Sequence, residues 1–176
     1  MNNRQVALVG LCAMLGFGAC SEKKQSGDII VPKVVKKVQN KVNSMSDYTQ
    51  SKTVDWLGQT YTIVVHRFVD KTSQCEDEQG NKYYANKISL RIHRADGSVF
   101  FDRTFAKSDF AGYVGSGVAE KGALLGIVLE KAEGDHLRFA ASVGSPDQNS
   151  DEFVPLLLDV SRTGGISISV DTSLDV

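Results

Sequence analysis

The residue most specifically placed for chemistry in this chain is a thiol. Cys20 follows Phe17-Gly18-Ala19, the small-residue end of an uncharged apolar run that begins at Val6, just after Arg4. A basic start, an apolar stretch and small residues at a cut are the parts of a secretory signal. A cysteine at the cut is the acceptor of bacterial lipid modification, in which the thiol takes a diacylglyceryl group and becomes the new N-terminus. The run is interrupted by Gly10, Gly16 and Gly18 and falls short of the roughly 20 apolar residues that a membrane span needs. Cys12 is a poor competitor, because Leu11 before it is too large for the cleavage site.

Other candidate chemistry is incomplete. Asp147, Asn149 and Asp151 give the D-x-N-x-D opening of a calcium loop, but Glu152 stands where the bend needs glycine and Leu158 where the closing glutamate belongs. They form a weak calcium candidate, and no metal or other cofactor is expected. Glu76-Asp77-Glu78 is a second acidic loop with the same status. His66 and His93 could be neighbours if their strands pair, whereas His136 stands beside a turn; none has a ligand set at recognised spacing. Cys75 lies next to three acidic residues, which should raise its pKa and make it a poor nucleophile. Gly115-Ser116-Gly117 lacks the G-x-S-x-G form of a nucleophile elbow. The expectation leans away from an enzyme.

If the signal is removed, the chain divides into a tether and a domain. Residues 1–19 are the signal, 20–52 the lipidated cysteine and a basic tether, and 53–176 a single β domain. Residues 21–52 carry seven lysines against three acidic residues, a balance of +4, although the whole chain has a net charge of −1. Residues 53–176 are correspondingly acidic, which argues against nucleic acid as a partner. The tether lysines could touch anionic lipid head groups. Val34, Val38, Val42 and Met45 also recur at roughly helical spacing, so a helix over 34–45 is an alternative to an extended spacer. With Cys12 and Cys20 consumed, Cys75 is the one ordinary thiol and no intramolecular disulfide is expected.

From Thr53 onward, β-branched and aromatic residues alternate in short runs bounded by turn residues. Strands are predicted over 54–57, 60–69, 87–94, 98–105, 124–131, 136–143, 153–161 and 166–170, with at most one short helix or helical turn, over 107–113. The fold class is therefore all-β: an antiparallel meander of seven to eight strands, as a small barrel or a two-layer sandwich. Gly58-Gln59 is read as the first tight turn. Asp96-Gly97 is the strongest hairpin signal. A two-residue loop there pairs Arg91 with Asp102, Ile92 with Phe101 and His93 with Phe100. It also sets Arg103 opposite Leu90 on the apolar face. An inward arginine needs a partner or an opening. It either snorkels or pairs with a carboxylate such as Asp159, or it lines a cavity and binds an anion.

The segments SDYTQSKTVDWLGQTYTI, ADGSVFFDRTFAKSDF, GIVLEKAEGDHLRFAASV and EFVPLLLDVSRTGGISI resemble an uncharacterised family of Bacteroidetes-type lipoproteins, classed as a domain of unknown function. The resemblance spans about residues 46–170. It implies an all-β envelope lipoprotein and supplies no catalytic residues.

These readings lead to an expected lipid-anchored binding or interaction module of the bacterial cell envelope. Ser21-Glu22 lacks the aspartate that can retain lipoproteins at an inner membrane, so the outer membrane is the expected location. Its expected partners are the membrane, through the anchor, and a peptide, glycan, envelope protein or small apolar ligand. Alternatives are an envelope hydrolase using loop carboxylates and a structural assembly subunit. Trp56, Tyr83, Tyr84 and Arg103 are the candidate ligand-binding residues, with Tyr83-Tyr84 read as part of a polar loop where exposed rings serve recognition.

Overall fold

The computed structural model describes residues 41–173. Cys20, the signal segment and the tether as far as residue 40 lie outside the described residues.

Eight strands follow the period-2 pattern: β1 (Tyr48–Trp56), β2 (Gln59–Glu76), β3 (Lys82–Arg94), β4 (Val99–Ala106), β5 (Ala123–Glu133), β6 (His136–Gly144), β7 (Phe153–Ser161) and β8 (Ile166–Val170). They form two antiparallel four-stranded meanders, β1-β2-β3-β4 and β5-β6-β7-β8. One face of each sheet is apolar. Ile63, Val65, Ile88, Leu90, Ile92, Phe101 and Phe105 from the first meet Ile127, Leu137, Phe139, Leu156, Leu158 and Val160 from the second in one buried core. The arrangement is a two-layer sandwich with no closed barrel. Each fully buried Leu, Ile or Phe contributes about 1.5–3 kcal/mol, and no disulfide supplements that burial among the described residues, where Cys75 is free.

The chain crosses between the sheets through a 3-10 turn at Lys107–Tyr113, where the short helix was expected, and a six-residue helix α1 (Ser116–Lys121). Beside the expected helical segment, α1 is a shorter one. Six residues containing Gly117 give too short a helical pattern to register. Phe110 of the 3-10 turn is fully buried against Phe105, with ring centroids 6.0 Å apart. The Asp109 carboxylate accepts the Ala106 N–H at 2.8 Å and secures the turn.

The β3–β4 register holds inward of the turn: Arg91 faces Asp102, Ile92 faces Phe101 and Leu90 faces Arg103. At the tip it differs. His93 pairs with Val99, not Phe100, because a bulge intervenes. The Arg94 N–H donates to Ser98 O at 2.9 Å, leaving three loop residues, and Gly97 takes the left-handed φ of +82° that ends such a loop. The bulge cancels the extra loop residue. The first turn is likewise Leu57-Gly58, with φ of +53° and +72°, because Trp56 pairs with Gln59.

The N-terminal boundary of the sheet also moves. β1 starts at Tyr48, inside the stretch assigned to the tether, and pairs with β2 from Tyr48↔Arg67 to Trp56↔Gln59. Its outward residues are polar, as suits an edge strand, which hid it from a hydrophobic pattern. Upstream, residues 41–45 are not helical. Asn43 lies parallel to Tyr83, donating its N–H to Lys82 O at 2.8 Å and accepting that of Tyr84 at 2.9 Å. Met45 is then buried with Cys75 and Ala123. Arg67 secures this entry. It donates to Ser46 O at 2.8 Å and Leu125 O at 2.6 Å, and stacks on the Tyr48 ring at 4.6 Å.

Candidate functional site

In an up-and-down meander, alternate connections gather at opposite ends of the strands. The β1–β2, β3–β4, β5–β6 and β7–β8 turns share one end. The β2–β3 turn, the 107–122 crossover and the β6–β7 loop share the other. The first end is closed by aromatic packing. Trp56 and Tyr61 lie 5.3 Å apart, and Phe100 meets both edge-on at 5.8 and 5.5 Å. The Trp56 indole N–H donates to Gly134 O of the β5–β6 turn at 3.1 Å, joining the two sheets.

The second end is open. A cavity of about 510 Å³ lies between the acidic turn, α1 and the β6–β7 loop. Its wall is mostly apolar, with Val118, Phe153 and Val154 contributing side chains. Phe153 is 50% exposed at the edge. Two glycines shape the wall by close backbone approach. The Gly122 N–H closes α1 on Val118 O at 2.9 Å, and a Cβ there would sit 2.7 Å from the same oxygen. A Cβ on Gly144 would collide with Glu152 O and the Phe153 backbone.

Five carboxylates line this cavity, Glu76, Asp77, Glu78, Asp151 and Glu152, against the one cation Lys121. None of these six forms an ion pair among the described residues. Asp77 organises its turn, accepting N–H groups of Gln79 at 3.0 Å and Asn81 at 2.8 Å. Burial pushes its carboxyl up, but those bonds, the Asn81 amide and the Tyr83 hydroxyl outweigh it and hold the group below the usual range. Glu78 reaches across to the β6–β7 loop. Hydrogen bonds from Ser145 and then Ser150 hold its carboxyl down, the Ser150 Oγ lying at 3.1 Å. A second cavity of about 230 Å³, lined by Gln74, Cys75, Glu76, Lys82, Glu120 and Lys121, shares Glu76 and Lys121 with the first.

The residues singled out in the sequence scatter. Trp56 belongs to the closed end and is 4% exposed, a core residue and not an exposed recognition ring. Tyr83 and Tyr84 lie on β3, not in a loop, because the β2–β3 pairing extends out to Glu76↔Lys82. Tyr83 is half-buried against Met45, Cys75 and Ala123 and borders a polar hollow with Pro146, Asp147 and Asn149. Burial and the charges of Asp147 and Asp77 push its hydroxyl pKa up. Arg103 lines none of these cavities. Its guanidinium donates to Asp109 at 2.8 Å and lies over the Phe105 ring at 5.0 Å, so it pairs with Asp109 and not Asp159. Asp159 instead takes a two-point contact from Arg138, at 2.9 and 3.0 Å.

The Asp147 carboxylate accepts the Asn149 N–H and side-chain amide within its own turn, at 3.0 and 3.1 Å. Among the described residues, no three His, Cys, Asp or Glu side chains gather to hold a metal ion. His66 and His93 are not brought together, since His66 faces Ser89 and His93 faces Thr62. Cys75 is raised to about 11, chiefly by burial and not by its acidic neighbours. In the sequence, Asp151 and residues 76–78 stand out separately. Gly117 stands out only as part of Gly115-Ser116-Gly117, Val118, Gly144 and Phe153 do not stand out at all, and only the parity of the meander could have joined them.

A family model described as Domain of unknown function (DUF4738) matches residues 31–168. The chain belongs to that family. The matched span contains β1 to β7, part of β8 and every residue that lines the open-end cavity. It also begins within the stretch read as tether. A search of curated proteins gave no match.

Proposed function

We propose that this DUF4738 chain is a lipid-anchored bacterial envelope protein of Bacteroidetes type, held through Cys20 and facing the periplasm or cell surface from the outer membrane. Its β domain acts as a binding module, with the open-end cavity as its ligand site. The observation that carries the reading is the cavity itself: about 510 Å³, apolar-walled and ringed by charged side chains, within the size range of ligand pockets. A hydrolase using loop carboxylates as an acid–base pair would need one held protonated beside one held ionised. Asp77 and Glu78 both move downward and both are tied to neighbouring turns, so these two do not form such a pair.

The test compares capture from envelope extract by the wild-type chain and by Gly117→Trp. A Cβ at Gly117 meets open space, so the indole should fill the cavity and leave the fold unchanged. Ligands lost with Gly117→Trp support the site; an identical profile removes it. In the same host, Cys20→Ala should abolish incorporation of a labelled fatty acid, and retained label would overturn the anchor.

A further inference from the structure

We infer that the occupant of the open-end cavity is an extended cationic peptide segment carrying at least one apolar side chain. This rests on the reading of the cavity as a ligand site and adds the ligand's chemistry. Three features of the site converge on it.

Charge comes first. The two adjoining cavities are lined by six carboxylates, with Glu120 joining the five named above, against Lys82 and Lys121. A concave acidic surface over low-dielectric walls concentrates cations and disfavours anions. These carboxylates come from three separate segments, 76–78, Glu120 and 151–152, and among the described residues no three of them gather as metal ligands. A spread charge suits several ammonium or guanidinium groups at intervals.

The apolar wall adds a second requirement. Phe153 is half-exposed beside Val118 and Val154. A small polycation would leave that surface wet, whereas an apolar side chain alternating with basic ones would cover it.

The third feature is length. Glu76 and Lys121 line both cavities, so the two, of about 510 Å³ and about 230 Å³, lie next to each other at the open end. Gly117, where a Cβ would meet open space, presents bare backbone at the cavity, where a side chain would otherwise stand off a passing main chain. A site that offers both charge and apolar contact fits an extended chain, which directs successive side chains to opposite sides.

The experiment titrates the full-length chain, in a non-ionic detergent, with three tetrapeptides and with spermidine. The peptides alternate lysine with phenylalanine, glutamate with phenylalanine, and lysine with serine. Binding is read by calorimetry and by amide shifts of residues 117–122 and 144–154. The lysine–phenylalanine peptide should bind at the cavity at least tenfold more tightly than the other three probes. Glu76→Gln with Glu152→Gln should weaken it by about fivefold, and raising salt from about 50 to 300 mM should weaken it further. Preference for the glutamate peptide, or equal binding of spermidine, overturns the cationic-peptide assignment while leaving a ligand site in place. Unmoved affinity in the double variant also overturns it. Absence of cavity shifts with every probe removes both the assignment and the site.

Discussion

At one end of the strands, Trp56, Tyr61 and Phe100 pack edge to face, and the Trp56 N–H reaches the opposite sheet at Gly134. At the other, the same two sheets part around Val118 and Phe153, and carboxylates line the gap. The strands between are the same, so the difference lies in the connections. Tight hairpin turns let aromatic side chains close the first end. The second end has only one short turn, at 77–81. The crossover and the eight-residue β6–β7 loop hold its edges apart. Large aromatic rings often serve recognition, but here they fasten the two sheets together, while glycines and acidic turns build the cavity.

The largest expected effect breaks the closed end. Trp56→Ala removes a buried ring, its aromatic partners and an inter-sheet hydrogen bond, and should cost about 3–5 kcal/mol in denaturant unfolding. A cost under about 1 kcal/mol would mean that this end is not held by Trp56. Next, Gly144→Ala drives a methyl into Glu152 O and the Phe153 backbone, and about 1–3 kcal/mol of destabilisation is expected. The chain has one tryptophan, Trp56, so its fluorescence reports the closed end alone. Emission in native Gly144→Ala should match wild type; a shifted spectrum would show that the two ends are coupled. The smallest effect has the opposite sign. Leu57 is exposed with φ of +53° beside Gly58, a conformation that asparagine tolerates and leucine does not favour. Leu57→Asn should stabilise by about 0.5 kcal/mol, read as a higher midpoint, and a lower midpoint would contradict the strain.

This contrast also explains what the sequence made legible. Alternation of apolar residues marks every core strand, and because one face of each sheet is buried, a slip in register would expose it; hence Ile92↔Phe101 and Arg91↔Asp102 could be placed in advance. Signals failed where burial gives no instruction. The polar edge strand from Tyr48 reads as spacer, α1 is too short for a helical period, and the Asp96-Gly97 loop holds one residue more than its sequence suggests. The cavity failed for a different reason. Its residues come from 76–78, 117–122 and 144–154, each unremarkable alone, and only the topology unites them. Arg103 shows the converse. Its place on the apolar face was legible, but not the carboxylate of Asp109 that receives it, because that group comes from a turn whose path the strand pattern does not fix.

The crossover at 107–122 is the single covalent link between the two meanders. Every hydrogen-bonded strand pair in the described domain lies within one half of the sequence or the other. Each ladder can therefore zip up from nearest-neighbour hairpins with little loop-closure entropy, yet each then presents a bare oily face to water. Docking of the two halves is the step that makes the protein, and until it happens each half is a surface prone to aggregate.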